Sequence, residues 1–359
     1  MGIADLTPLL KKHVACCFVD IPGIKLNNRR IAFDGLNWLF TVMGISVKNT
    51  IKDMKDPYGD IDPDFVFREI LHFFLTVNIR LLSYKITPVW IWDSDTFTPP
   101  AKTDTRAKRK ENRVKRISKY NNLKSALLSM GVLERPSELF KEYLKLKAET
   151  FYFPKSKTTE LKEVSQMIGL PTITAPGEGE YLASCLAIER LVACVYSADT
   201  DTIALGTPFV TKCIELRNNE LYIKGIFSPT ILKTFGFTYL QFRELCFLLG
   251  CDFNKRIKGI GPVKSLSMMK EHKNIESVIA YLNANDYDTS VLNLNICRRL
   301  LTPSPTGYTD KTELLNMRTA MYTSELDKYN LRTLFNLFFS RSSRIGTPSN
   351  VPKTDNTYK

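Results

Sequence analysis

Apolar positions along the chain follow two rhythms. Three short runs are almost unbroken: Arg30-Ile31-Ala32-Phe33-Asp34, Pro88-Val89-Trp90-Ile91-Trp92-Asp93, and Val192-Ala193-Cys194-Val195-Tyr196-Ser197-Ala198-Asp199. Each is rich in Val, Ile or aromatic residues and ends on an acid. Unbroken apolar strands are buried on both faces, as in a parallel sheet. Between them the spacing changes to three and four, as in Leu161, Val164 and Ile168, stopped by Gly169, which is a helical face. The alternation predicts a doubly wound α/β fold, a parallel twisted sheet flanked by helices, with the ligand site at the carboxyl ends of its strands.

Residues 102 to 160 have another texture. Lys102, Arg106, Lys108, Arg109, Lys110, Arg113, Lys115, Arg116 and Lys119 crowd one segment, while Val114, Ile117, Tyr120, Leu123 and Leu127 recur at helical spacing. This is a basic amphipathic helix. Its plain alternatives are a solvated helix face and a nuclear-import signal. Further on, Gly259-Ile260-Gly261-Pro262-Val263-Lys264 places a glycine turn before a helix starting near Pro262. Backbone N–H groups at such a turn can hold a phosphate, although an ordinary loop reads the same way. The stretch from Ser340 to Lys359, rich in Ser, Thr and Pro, reads as disordered. No internal repeat is visible.

Composition narrows the class. In 359 residues, 44% hydrophobic content suffices for a well-buried core. The net charge of +13 and pI near 9.2 point to a polyanionic partner. Eight cysteines without a CxxC pair read as reduced core thiols of an intracellular protein, and three scattered histidines disfavour a zinc site, so any metal is held by oxygen. No apolar run is long enough to span a membrane, no secretory leader is recognisable, and Leu6 spoils the myristoylation pattern.

The acids carry the chemistry. Glu178 with Glu180, and Asp199 with Asp201, share i, i+2 spacing; if the second pair is extended, both carboxylates project to one side. The first pair lies where a helix begins, and converges only if Glu178 sits in an irregular lead-in allowed by Gly177 and Gly179. Asp252 follows the apolar run Leu245 to Leu249 and Gly250. One acid at a strand end, such as Asp34, is as readily a helix cap. Seven acids at matching positions would repel unless divalent cations lay among them.

Met1-Gly2-Ile3, the strand ending at Asp34, the block Ala175 to Glu180 with Ala183, Ala198-Asp199-Thr200-Asp201, and Leu248 to Asp252 with Gly259-Ile260-Gly261-Pro262 together resemble the flap endonucleases, over residues 1 to about 285. The resemblance implies a PIN-like nuclease core. It divides the chain into nuclease regions at 1–101 and 161–285, a helical arch at 102–160 and a helix-two-turn-helix element near 245–275. A C-terminal helical segment at 286–339 and the tail at 340–359 complete it.

The resemblance further implies a structure-specific DNA endonuclease, acting at 5′ flaps or related junctions in replication and repair, that uses two Mg²⁺ ions about 4 Å apart, which Mn²⁺ can replace. Asp34, Asp93, Glu178 and Glu180 would hold the first ion and Asp199, Asp201 and Asp252 the second. Lys102 and Arg109 would stabilise charge on the phosphate, and Phe40 would stack on a base. Gly2, Gly259, Gly261 and Lys264 would contact DNA. The rival readings are a 5′ to 3′ exonuclease or junction resolvase of the same superfamily, and a non-catalytic nucleic-acid-binding member.

Some positions depart from the family. Ser94-Asp95 follow Asp93 where glycine is favoured, and Arg256 stands where a serine hydroxyl helps bind potassium, which puts K⁺ in doubt. Arg332 to Phe339 has the aromatics of a sliding-clamp peptide but not its glutamine, so it reads as a helix packing on the core, with a clamp as the weaker alternative. These departures and the short tail suit a divergent, viral enzyme. The expected partner is branched or flapped DNA and not a membrane. A monomer working in the nucleus, or wherever DNA is replicated, is expected.

Overall fold

The computed structural model describes residues 2–94, 103–130 and 137–306. The readings of Lys102, of the 332–339 segment and of the 340–359 tail lie outside these residues. Helix α1 (Leu6–His13) leads into β1 (Phe18–Pro22) and β2 (Arg30–Asp34), followed by the long helices α2 (Gly35–Asp53) and α3 (Pro63–Ser83) and by β3 (Thr87–Trp92). The basic segment forms α4 (Thr103–Ser129) and α5 (Ser137–Thr150). Then come α6 (Lys155–Met167), β4 (Thr172–Thr174), α7 (Gly179–Ile188), β5 (Cys194–Tyr196) and α8 (Asp201–Leu205). The strands β6 (Phe209–Arg217) and β7 (Glu220–Phe227) precede α9 (Ser228–Phe235), α10 (Tyr239–Leu249), α11 (Pro262–His272), α12 (Ile275–Ala284) and α13 (Leu294–Leu300).

The seven strands lie in the order β1-β7-β6-β5-β2-β3-β4. From β6 through β4 the pairing is parallel, as the sequence suggests. The sheet as a whole is mixed: β7 is antiparallel to both β6 and β1, because a short Asn218-Asn219 turn makes a hairpin of β6 and β7. Both faces of the parallel part are covered. Ile31 and Phe33 pack with the α2–α3 side, where Trp38, Phe74 and Trp90 lie, whereas Ala32, between them, packs with Val89, Ile91 and α7. This two-sided burial is why β2 and β3 are apolar at successive positions.

One strand reading changes. The run from Val192 to Asp199 is a strand only over Cys194–Tyr196, since Val192 still belongs to the turn after α7 and the chain curls toward α8 beyond Ser197. The run before Asp252 is the last turn of a helix, α10, which ends at Gly250 with φ +91. A third core joins α1 to α10, α11 and α12 through Leu6, Leu10, Phe242 and Leu266. Among the described residues, no helix is long and apolar enough to cross a membrane.

Candidate metal centre

Strand β2 lies between β3 and β5, with Phe33 opposite both Trp90 and Tyr196. Parallel alignment brings the carboxyl ends of all three strands to one edge. From this edge β3 and β4 extend to one side and β5 and β6 to the other, so it is a topological switch point, where α/β sheets bind ligands.

Asp34 ends β2 and caps α2. One carboxylate oxygen accepts the Asn37 N–H at 3.1 Å and the other accepts the Ser197 hydroxyl at 3.2 Å. The cap reading is therefore correct, and it leaves the carboxylate at the sheet edge. Burial pushes this acid from 3.8 up to about 7; the Asn37 N–H opposes the shift, and repulsion from Asp93 adds to it.

Asp93 follows β3, and its Oδ1 accepts the Gly179 N–H at 2.8 Å. A Cβ at Gly179 would stand 3.0 Å from that oxygen and 3.2 Å from the Ile91 carbonyl, so this close approach of α7 to β3 favours glycine. The Ser94 N–H donates to Gly177 O at 3.0 Å, fastening the two loops together. Glu178 is extended (φ −80°, ψ 132°) and Glu180 lies in the first turn of α7, as the irregular lead-in requires.

The Asp199–Asp201 pair differs from the extended expectation. Thr200 is in the right-handed helical region and Asp201 opens α8. Asp199 Oδ1 accepts the Asp201 N–H at 3.3 Å, and the Thr202 hydroxyl donates to Asp199 O at 2.7 Å. The curl still gathers the acids: ligand oxygens of Glu180, Asp199 and Asp201 all lie within 4.8 Å of one another.

The amino terminus supports this loop. Ile3 N–H donates to the Thr200 hydroxyl at 2.7 Å, and Ala4 N–H donates to Gly250 O at 2.9 Å. Gly2, at φ +118°, lies so close that an added Cβ would be 2.1 Å from Asp199 Oδ1. Gly2 is thus packed against a carboxylate of the cluster. Asp252, two residues past Gly250, accepts Arg109 Nη2 at 2.9 Å, so α4 reaches the same edge.

The other candidates lie apart from this network. Phe40 is 58% exposed on α2. Gly259 has φ +82°, Gly261 precedes α11 at an amino end that no side chain caps, and Lys264 Nζ donates to Gly259 O at 3.2 Å. Arg256 donates to Leu249 O at 3.0 Å and pairs with Asp5 at 2.8 Å.

Sequence reasoning missed three supporting residues. Asn37 caps back to Asp34 and, through its Oδ1, accepts the Ala198 N–H at 2.8 Å; Ser197 bridges Asp34 and the Asp199 N–H; Thr200 holds the amino terminus. Asn37 was findable as the third residue after a capping acid, but nothing distinguishes Ser197 or Thr200 without the fold.

Chemically, the edge gathers carboxylate oxygens: Asp34 and Asp201 are buried, Glu180, Asp199 and Asp201 are close enough to share an ion, and Asp34 is pushed up chiefly by its burial. Such a donor set fits Mg²⁺ or Mn²⁺ and not a soft metal.

Residues 1–116 match the XPG N-terminal domain and residues 169–252 match the XPG I-region. The chain is 30% identical over 294 residues to flap endonuclease 1 of Brugia malayi, covering 80% of this chain and 71% of that protein. Flap endonuclease 1 of Entamoeba histolytica is 28% identical over 286 residues, covering 79% and 70%. Among solved structures, the catalytic core of Rad2 in complex with DNA substrate superposes with a TM-score of 0.60 at 18% identity, covering 95% of this chain and all of that one.

Proposed function

Since the chain belongs to the flap endonuclease family, we propose that it is a structure-specific nuclease that hydrolyses phosphodiesters at 5′ flaps of branched DNA, in replication and repair, with divalent cations held by its carboxylate edge. The observation that carries this reading is the convergence of Glu180, Asp199 and Asp201 within 4.8 Å, at the sheet edge that also bears Asp34 and Asp93.

In this reading Asp34, Asp93, Glu178 and Glu180 hold one Mg²⁺, and Asp199, Asp201 and Asp252 the other. Two divalent cations held there would supply polarisation of the scissile phosphate and a more nucleophilic water. The chain's own residues do the rest. Asn37, Ser197 and Gly179 hold Asp34 and Asp93 in fixed orientations through hydrogen bonds. Arg109, placed by α4, exchanges Asp252 for a phosphate oxygen and, with Lys102, stabilises the developing charge. Phe40 offers an exposed ring to a base beside the scissile phosphate. Gly259, Gly261 and Lys264 grip duplex phosphates through backbone N–H groups and one ammonium. Contacts of this kind select shape over sequence.

The test combines substrates and variants. End-labelled flap, gapped, nicked and four-way DNA separate flap cleavage from exonuclease and resolvase activity. Asp199→Asn with Asp201→Asn should abolish Mg²⁺-dependent cleavage while leaving junction binding in Ca²⁺ intact. Undiminished turnover by the double variant would overturn the metal assignment.

A further inference from the structure

Beside the carboxylate edge, the sulfurs of Cys251 and Cys297 stand 3.9 Å apart. Cys297 is fully buried on α13, whereas Cys251 is half-buried and lines an open cleft of about 670 Å³ with Gly2, Asp5, Gly250 and Arg256. Both thiols are free. A disulfide needs the sulfurs at about 2.05 Å, a closing movement of about 2 Å. The two segments are already docked: Asn293, at the amino end of α13, donates its N–H to Asn254 Oδ1 at 2.8 Å. Cys251 directly precedes Asp252, whose carboxylate accepts Arg109.

We propose that Cys251 and Cys297 form a reversible disulfide that displaces the Asp252 loop and slows cleavage. With glutathione disulfide as oxidant, the Cys251 sulfur attacks one glutathione sulfur and releases one glutathione. Cys297 then attacks the Cys251 sulfur and releases the second. Two protein thiols are oxidised, the glutathione disulfide is reduced to two thiols, and the protein's two protons end on the departing glutathiones. Cys251 reacts first because it lines the cleft, whereas Cys297 is fully buried and is reached through Cys251.

The chemical step stands on the sulfur geometry alone, whereas its effect on cleavage rests on the proposed role of Asp252. The full chain is incubated with glutathione disulfide, then peptide-mapped without reduction and assayed on a flap. A Cys251–Cys297 linked peptide should appear, cleavage should fall about tenfold or more, as when support of a metal ligand is lost, and dithiothreitol should restore it. Cys297→Ala, outside the proposed metal and DNA contacts, should keep its activity under the same oxidation. Absence of the linked peptide, or equal inactivation of Cys297→Ala, overturns the proposal. If the reduced wild-type protein fails to cleave a flap, the function reading fails, while the linked peptide still decides the disulfide.

Discussion

Asp34 shows how one side chain serves two ends. It closes α2 through Asn37, and burial among like charges raises its carboxyl to about 7. The folded, metal-free protein therefore binds a proton at Asp34 more tightly than the unfolded chain does. Its contribution is favourable below about 4 and is lost as pH rises toward 7. Three pH units correspond to about 4 kcal/mol, an upper bound for a group with charged neighbours. In EDTA, Asp34→Asn, which keeps an acceptor for Asn37, should match wild-type stability near pH 4 and exceed it at pH 8. Melting curves at the two pH values check this, and parallel curves for the two proteins would show that Asp34 is not the group strained by burial.

Helices α4 and α5 show why net charge alone misleads about which bases matter. Lys119 pairs with Glu142 at 2.5 Å and Arg116 approaches Glu149 at 3.7 Å within the helix pair, and Lys124 reaches Asp60, between α2 and α3, at 4.0 Å, so several bases are partly neutralised. The pair is anchored by Tyr120 stacked on Tyr143, and by Lys147, 3% exposed, whose ammonium donates to Pro57 O and Gly59 O at 2.6 Å. Burial pushes this ammonium's pKa down. Arg109, at the other end of α4, points to Asp252. In single-turnover flap cleavage at saturating enzyme, Arg109→Ala should be slowed by about 10²-fold, the loss for one preorganised donor, while Lys119→Ala stays near wild type. Equal rates for the two variants would remove the catalytic role from α4.

Across the whole molecule, the carboxylate edge and the glycine turn before α11 are held together by one core joining α1 to α10, α11 and α12, which would set the spacing between the proposed cleavage site and the proposed duplex grip. The grip is testable by salt. Lys264→Ala should weaken junction binding for any sequence and reduce the log-log salt slope by about 0.9 per lost phosphate contact. Unchanged affinity and slope would make the turn an ordinary loop.

Strands β2 and β3, the α2 cap at Asp34, the lead-in at Glu178 and the α11 start at Pro262 were legible in the sequence because each depends on neighbours within a few positions: burial on two faces, a short polar cap, a glycine, a proline. The family likeness likewise rested on short blocks of residues. What the sequence could not decide depends on contacts between distant segments. Thr200 receives Ile3 across 197 positions, Asp252 receives Arg109 across 143, and Cys251 meets Cys297 across 46. The curl at Thr200 was missed for the same reason: i, i+2 spacing fixes side-chain direction only once the backbone conformation is known, and here the amino terminus and Asn37 flank that loop. Local chemistry named the acids; the closure of the sheet around β2 decided which of them meet.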